Sequence, residues 1–151
     1  MNKKFSFIPF AFLLGSLMLG LQGCPGRKNP PAPQTKTDLI IRNWKVQQVT
    51  STVDNVPTTL YQEGAAANAE NYAAYRLNFT SANNYTRTDR NAVETSGTWA
   101  FNADESQVNF TPGTPATINV ENLTKDSFVF NYTETGTKTG NRVLRFQMVP
   151  L

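Results

Sequence analysis

From Asp38 onward the chain alternates apolar and polar residues in short runs. Tyr75, Leu77 and Phe79 fall on one face of an extended segment, with Arg76, Asn78 and Thr80 on the other. Gly97, Trp99 and Phe101 repeat the pattern, followed by Val108 and Phe110, Ile118 and Val120, then Phe128, Phe130 and Tyr132. The last run sets Leu144, Phe146 and Met148 against Val143, Arg145 and Gln147. A period of two with one apolar face is the mark of a half-buried strand, because successive side chains of a strand point to opposite faces. Strands of this kind about 8 to 12 residues apart, joined by short turns, predict an antiparallel sandwich or barrel.

The turns set the order of the strands. Ser81-Ala82-Asn83-Asn84 is a tight reversal, since asparagine tolerates the left-handed backbone better than other non-glycine residues. Asn102 to Ser106 and Asn122 to Asp126 are similar connections. Turns this short pair strands that are neighbours in sequence, so the order is up-and-down, and closure into a barrel removes the exposed edges. One segment differs: Glu63 to Ala74 is rich in alanine and lacks β-branched residues. Alanine is the strongest helix former, which predicts a short helix or a long loop over a barrel mouth, as a lid, which implies a ligand, or as a plug, which implies none.

Composition agrees with an all-β domain. Residues 38–151 hold 17 threonines, which suit strands, and 14 asparagines, which suit turns. The whole chain of 151 residues has no histidine and one cysteine. Those two counts exclude Ser-His-Asp and Cys-His nucleophiles, a histidine general base and any zinc site containing histidine. Acidic groups are scattered, and their one adjacent pair, Asp104-Glu105, falls in a turn. No catalytic residue, metal ligand or cofactor site is identified, and the protein is read as not an enzyme.

The amino terminus is a targeting segment. Lys3 and Lys4 precede an apolar stretch from Phe5 to Leu21, which ends at a small residue, Gly23, before Cys24. That is the layout of a secretory signal; a membrane-spanning helix needs about 20 apolar residues without such breaks as Pro9 and Gly15. Leu21-Gln22-Gly23-Cys24 resembles the lipobox of bacterial lipoproteins. The resemblance implies that Cys24 receives a diacylglyceryl group, that the signal of residues 1–23 is removed, and that the new terminus is acylated with a fatty acid such as palmitate. Two or more acyl chains hold a protein firmly to a membrane. Residues 24–37 then form the lipidated cysteine and a tether with four prolines; a chain of this composition runs extended and spans up to roughly 40 Å. Pro25 stands where an aspartate signals inner-membrane retention, so the expected location is the outer membrane, facing the periplasm.

Removing the signal changes the charge. The precursor carries +3, the chain from Cys24 carries 12 basic against 11 acidic groups, and residues 38–151 carry 9 against 11. The folded part has no basic stripe, and nucleic-acid binding is not expected.

The domain of residues 38–151 resembles the lipocalin-like domain of bacterial lipoproteins. The residues that carry the likeness are Ile40-Ile41-Arg42-Asn43-Trp44-Lys45-Val46, Leu77-Asn78-Phe79 before a turn and Tyr85-Thr86, Ser96-Gly97-Thr98-Trp99-Ala100-Phe101, and Leu123 to Phe130 with a closing aromatic strand. The family implies an antiparallel up-and-down β-barrel of about eight strands. Arg42 occupies the place of the glycine that lipocalins proper carry before their first-strand tryptophan, which removes a marker of the transport members. In lipocalins a basic residue late in the chain packs over that tryptophan. The matching expectation here is Arg142 stacked on Trp44 and closing one end, against an Arg142 merely solvated at a strand terminus.

Trp44, Tyr75, Phe79, Trp99, Phe101, Phe128 and Phe130 point inward by period. They either line a cup for a small hydrophobic ligand or fill the barrel themselves, as eight-stranded barrels do both. The two functional readings follow: a membrane-anchored, non-catalytic binding module for a small apolar molecule in the cell envelope, or a structural or interaction subunit of an envelope complex with a filled barrel.

Overall fold

The computed structural model describes residues 33–81, 83–137 and 140–151. The signal segment, Cys24 and the first part of the tether lie outside the described residues. A short helix α1 (Lys36–Ile40) is followed by nine strands: β1 (Asn43–Val53), β2 (Val56–Gln62), β3 (Arg76–Phe79), β4 (Asn84–Thr88), β5 (Glu94–Phe101), β6 (Gln107–Thr111), β7 (Thr117–Leu123), β8 (Phe128–Thr137) and β9 (Gly140–Pro150). Helix α1 takes in Lys36 and Thr37, which composition assigns to the tether. The reason is local: Thr35 and Asp38 form a capping box, with Asp38 N–H donating to Thr35 Oγ1 at 3.1 Å and Thr35 N–H to Asp38 Oδ2 at 2.9 Å.

Strands β3 to β9 pair antiparallel in sequence order, and β9 pairs with β1 from Thr52 to Trp44. The other edge of β1 is shared. Asn43 to Lys45 pair with β3, which closes an eight-stranded barrel, while Gln48 to Val53 pair with β2. Strand β2 is therefore an extra strand flanking the barrel, joined to β1 by a two-residue hairpin whose Asp54 and Asn55 both have positive φ, as such turns require. The up-and-down antiparallel barrel is as expected, with β2 added. In the Ser81–Asn84 reversal the left-handed residue is Asn83, at φ 57°.

Trp44 is fully buried, and from it a column of rings runs the length of the interior. Its centroid lies 5.5 Å from Phe128; Phe128 lies 5.0 Å from Phe130, and Phe130 stacks on Phe146 at 5.0 Å with 6° between the planes. Tyr75 and Tyr132 also meet Phe146, at 5.0 and 5.8 Å. Phe79 bridges to Trp99 edge-on at 5.3 Å, and Trp99 to Phe101 at 5.6 Å. Contacts of this kind add roughly 0.5–1.5 kcal/mol each to the burial of the rings. Gly97 is needed for the close approach of β5 to β6: a Cβ there would stand 2.4 Å from the Thr111 carbonyl oxygen.

The two ends of the barrel differ. Helix α1 and the β3–β4, β5–β6 and β7–β8 turns gather at one end, where Trp44 Nε1–H donates to the Ile40 carbonyl at 2.9 Å and Lys36 Nζ donates to that of Glu105 at 2.8 Å. The cation over Trp44 is Arg42, its guanidinium carbon 5.3 Å from the indole centroid, and Arg42 Nη1 also donates to the Lys125 carbonyl. This corrects the expectation for Arg142. Register explains it: Trp44 pairs with Pro150 and Thr52 with Val143, so Arg142 and Trp44 lie at opposite ends of β9. The position that departs from the lipocalin glycine thus supplies the cation itself.

Replacing Arg42 with alanine should lower domain stability by about 1 kcal/mol and alter tryptophan emission, read by thermal melts and steady-state fluorescence. Arg142→Ala should leave the tryptophan emission unchanged; the reverse pattern would contradict the assignment.

Candidate functional site: the open end of the barrel

The inward faces of three strands change from apolar to charged as they approach the end away from α1. On β4 the inward series runs from Tyr85 to Arg87 and on to Asp89 beyond the strand; on β8 Phe130 is followed by Tyr132 and Glu134; on β9 Leu144 is preceded by Arg142. A charge on the inward face costs free energy unless it is paired or solvated, so these residues mark the point at which the packed interior meets water.

The segment from Glu63 to Ala74 crosses this end as a loop, not a helix. Asn68 holds it out of helical geometry, accepting from the Gln62 N–H at 2.7 Å and donating to the Gln62 carbonyl at 3.3 Å, while Glu70 N–H donates to the Leu60 carbonyl at 3.0 Å. Side-chain to backbone bonds of this kind compete with helix and outweigh the alanine preference. Tyr72, only 4% exposed, drops from the loop onto Phe146 edge-on at 5.5 Å and meets Tyr61 and Tyr75 at 6.2 and 6.3 Å. Of the two roles expected for the segment, it takes the plug.

Glu70 ties the plug to the barrel. It accepts from Arg142 Nη1 at 2.8 Å, from Arg90 Nη1, and from the Tyr72 hydroxyl at 3.2 Å. Arg142 Nε reaches across the sheet to Glu134 at 2.6 Å. Burial alone would raise the Glu70 pKa, but the hydrogen bond and charge of Arg142, with the charge of Arg90, outweigh it and hold the carboxyl below its ordinary value. Arg142 is shifted upward, chiefly by its hydrogen bond to Glu70. Burial, then the neighbouring Glu70 charge, pushes the Tyr72 hydroxyl up to about 12. Tyr75 and Tyr132 are raised further by burial, so all three phenols remain protonated hydrogen-bond donors at neutral pH.

Beside the plug lies a cleft of about 240 Å³, with Tyr72, Tyr75 and Tyr132 as aromatic walls, Pro115 as an apolar flank, and Arg87 and Arg90 at its rim. It adjoins a second depression of about 530 Å³, with which it shares Thr114, Pro115, Tyr132 and Glu134.

Of the seven inward aromatics, Trp44, Tyr75, Phe79, Trp99, Phe128 and Phe130 are buried and Phe101 is half-buried against them. They pack on one another and fill the barrel rather than lining an open cup; only Tyr75 also faces the cleft. Arg142 belongs to the Glu70 cluster, and Cys24 lies outside the described residues. Asp104-Glu105 is a closed turn, with Asp104 Oδ1 accepting from Ser106 Oγ at 2.7 Å. No group of three metal-ligating side chains occurs among the described residues. Sequence reading missed Glu70, Tyr72 and Arg87. The alternation Tyr85-Thr86-Arg87 does carry a signal, a charge on an apolar face, whereas nothing in the order of residues 63–74 reveals which of them turns inward.

Glu70→Gln should weaken the plug, since it keeps the shape and removes the charge. The folded carboxyl has a lowered pKa, so its contribution to stability is present above the ordinary glutamate value of 4.5 and is lost as pH falls through the folded value. Thermal melts should show the wild type more stable at pH 7 and the difference shrinking below about pH 4.5; a difference that is flat with pH would contradict the role of the ion pairs.

Comparison with known proteins places the fold. A lipocalin-like domain family model matches residues 40–130. A crystal structure of a lipocalin-like protein from Bacteroides uniformis is similar at 10% identity, covering 74% of this chain and 98% of that one, with a TM-score of 0.44. A comparison with curated proteins finds no match. A lipocalin-like fold is typically that of a binding domain, and by the family match over residues 40–130 this chain belongs to the lipocalin-like domain family.

Proposed function

We propose that the protein is a lipid-anchored, non-catalytic binding module of the bacterial cell envelope, which takes a small ligand at the open end of its barrel. Cys24 carries the anchor, and the proline-rich tether lets the domain stand off the outer membrane on the periplasmic side. The observation that supports the ligand-binding part is the contrast within one barrel: an interior occupied by a column of rings from Trp44 to Phe146, and an open cleft of about 240 Å³ beyond them. A ligand has room at the mouth and none among the rings. The filled interior equally favours the second reading, a structural or interaction subunit of an envelope complex, and one measurement separates the two.

Native mass spectrometry of the full chain, released from its own envelope in mild detergent, should show a polypeptide beginning at acylated Cys24 with a small molecule retained. Bare polypeptide mass would favour the structural subunit. An unacylated chain would overturn the anchor, and cleavage by protease added to intact cells would overturn the periplasmic location.

A further inference from the structure

The cleft at the mouth contains one arginine whose charge no carboxylate meets. Arg87 sits on the inward face of β4, half-buried, one strand position beyond Tyr85 in the inward series. Its one hydrogen bond within the described residues runs from Nη1 to the Thr114 carbonyl, and it takes part in none of the ion pairs found among them. The other arginines of this end are occupied: Arg142 by Glu70 and Glu134, Arg90 by Glu70 with its guanidinium over the Tyr72 ring at 5.8 Å.

Two carboxylates also line the cleft, and both are engaged. Glu134 is held by Arg142, and Asp89 Oδ1 accepts from the N–H groups of Asn91 at 2.8 Å and Val93 at 2.9 Å. Asn91 and Thr114 also line the space, and their side chains can donate or accept. Tyr75 is 7% exposed and lines the cleft, yet its hydroxyl has no hydrogen-bond partner among the described residues, and the same is true of the Tyr132 hydroxyl. Both residues line the cleft, and each hydroxyl carries a proton that a bound acceptor can take up in a hydrogen bond.

We propose that the cleft is an anion site for a small aromatic carboxylate, its carboxylate accepting from Arg87 and from the Tyr75 and Tyr132 hydroxyls and its ring lying against Pro115 and the half-buried Tyr132. The planar guanidinium matches a carboxylate with parallel hydrogen bonds, and charge-assisted bonds of this type are about twice as strong as neutral ones. Aromatic walls favour a planar ring over an alkyl chain. The inference rests on the reading of the open end as the binding site and adds the chemistry of what binds there.

Isothermal titration of the full chain in detergent with benzoate, and with benzamide as its neutral isostere, tests it. Benzoate should bind at least about tenfold more tightly than benzamide, and Arg87→Gln should abolish that preference. Tyr75→Phe, which removes only the hydroxyl, should weaken benzoate severalfold, while Arg145→Gln on the outer face should change nothing. Circular dichroism of each variant checks its fold, and Arg87→Lys, which keeps the charge, should retain part of the preference. Equal binding of the two probes, or a preference that survives Arg87→Gln, would overturn the anion site and leave the open-end reading standing. Binding of neither would also overturn the anion site, while the open-end reading stands or falls by the native mass spectrum.

Discussion

An eight-stranded barrel encloses room for its own side chains or for one small molecule, and this constraint organises everything else in the protein. Here the room is taken. The rings of Trp44, Phe128, Phe130 and Phe146 succeed one another at 5.0–5.5 Å along the interior, and Phe79 and Trp99 close the side of the column. The barrel strands contribute to this core by the same device, alternate residues turned inward. What the barrel offers to another molecule is displaced to its ends and its outer face.

The ends are built for different purposes. At one, α1 folds under Trp44, and the indole is held by a hydrogen bond from below and by the Arg42 cation from the side. At the other, charged residues succeed apolar ones on the inward faces of β4, β8 and β9, and the loop after β2 lowers Tyr72 into the mouth. Glu70 makes this arrangement hold together, because one carboxylate meets Arg142 of β9, Arg90 of the β4–β5 turn and the hydroxyl of the plug. The polar groups left over by that cluster, Arg87 and the Tyr75 and Tyr132 hydroxyls, face the open cleft.

The barrel was legible in the sequence because its strands obey a single periodic rule. Leu144, Phe146 and Met148 are buried, as their spacing requires, and so are Leu77 and Phe79, and Phe128 and Phe130. Strand β2 was not legible: it flanks the barrel, its first four residues are exposed, and no alternation distinguishes it. The partner of Trp44 was misassigned because register, which period does not reveal, puts Arg142 at the far end of β9. The site was less legible than the fold. One of its walls, Tyr72, comes from a loop whose course is set by Asn68, and local propensity for helix pointed the other way.

The claim on which the rest depends is that the interior is full. Xenon enters apolar cavities and leaves well-packed cores untouched, so methyl NMR spectra of the protein under xenon pressure read this directly. The account predicts no shift at Val46, Val49, Leu144 or Met148, all of which face the ring column. Progressive shifts at those methyls would show an apolar cavity inside the barrel and would move the binding site from the mouth back to the interior.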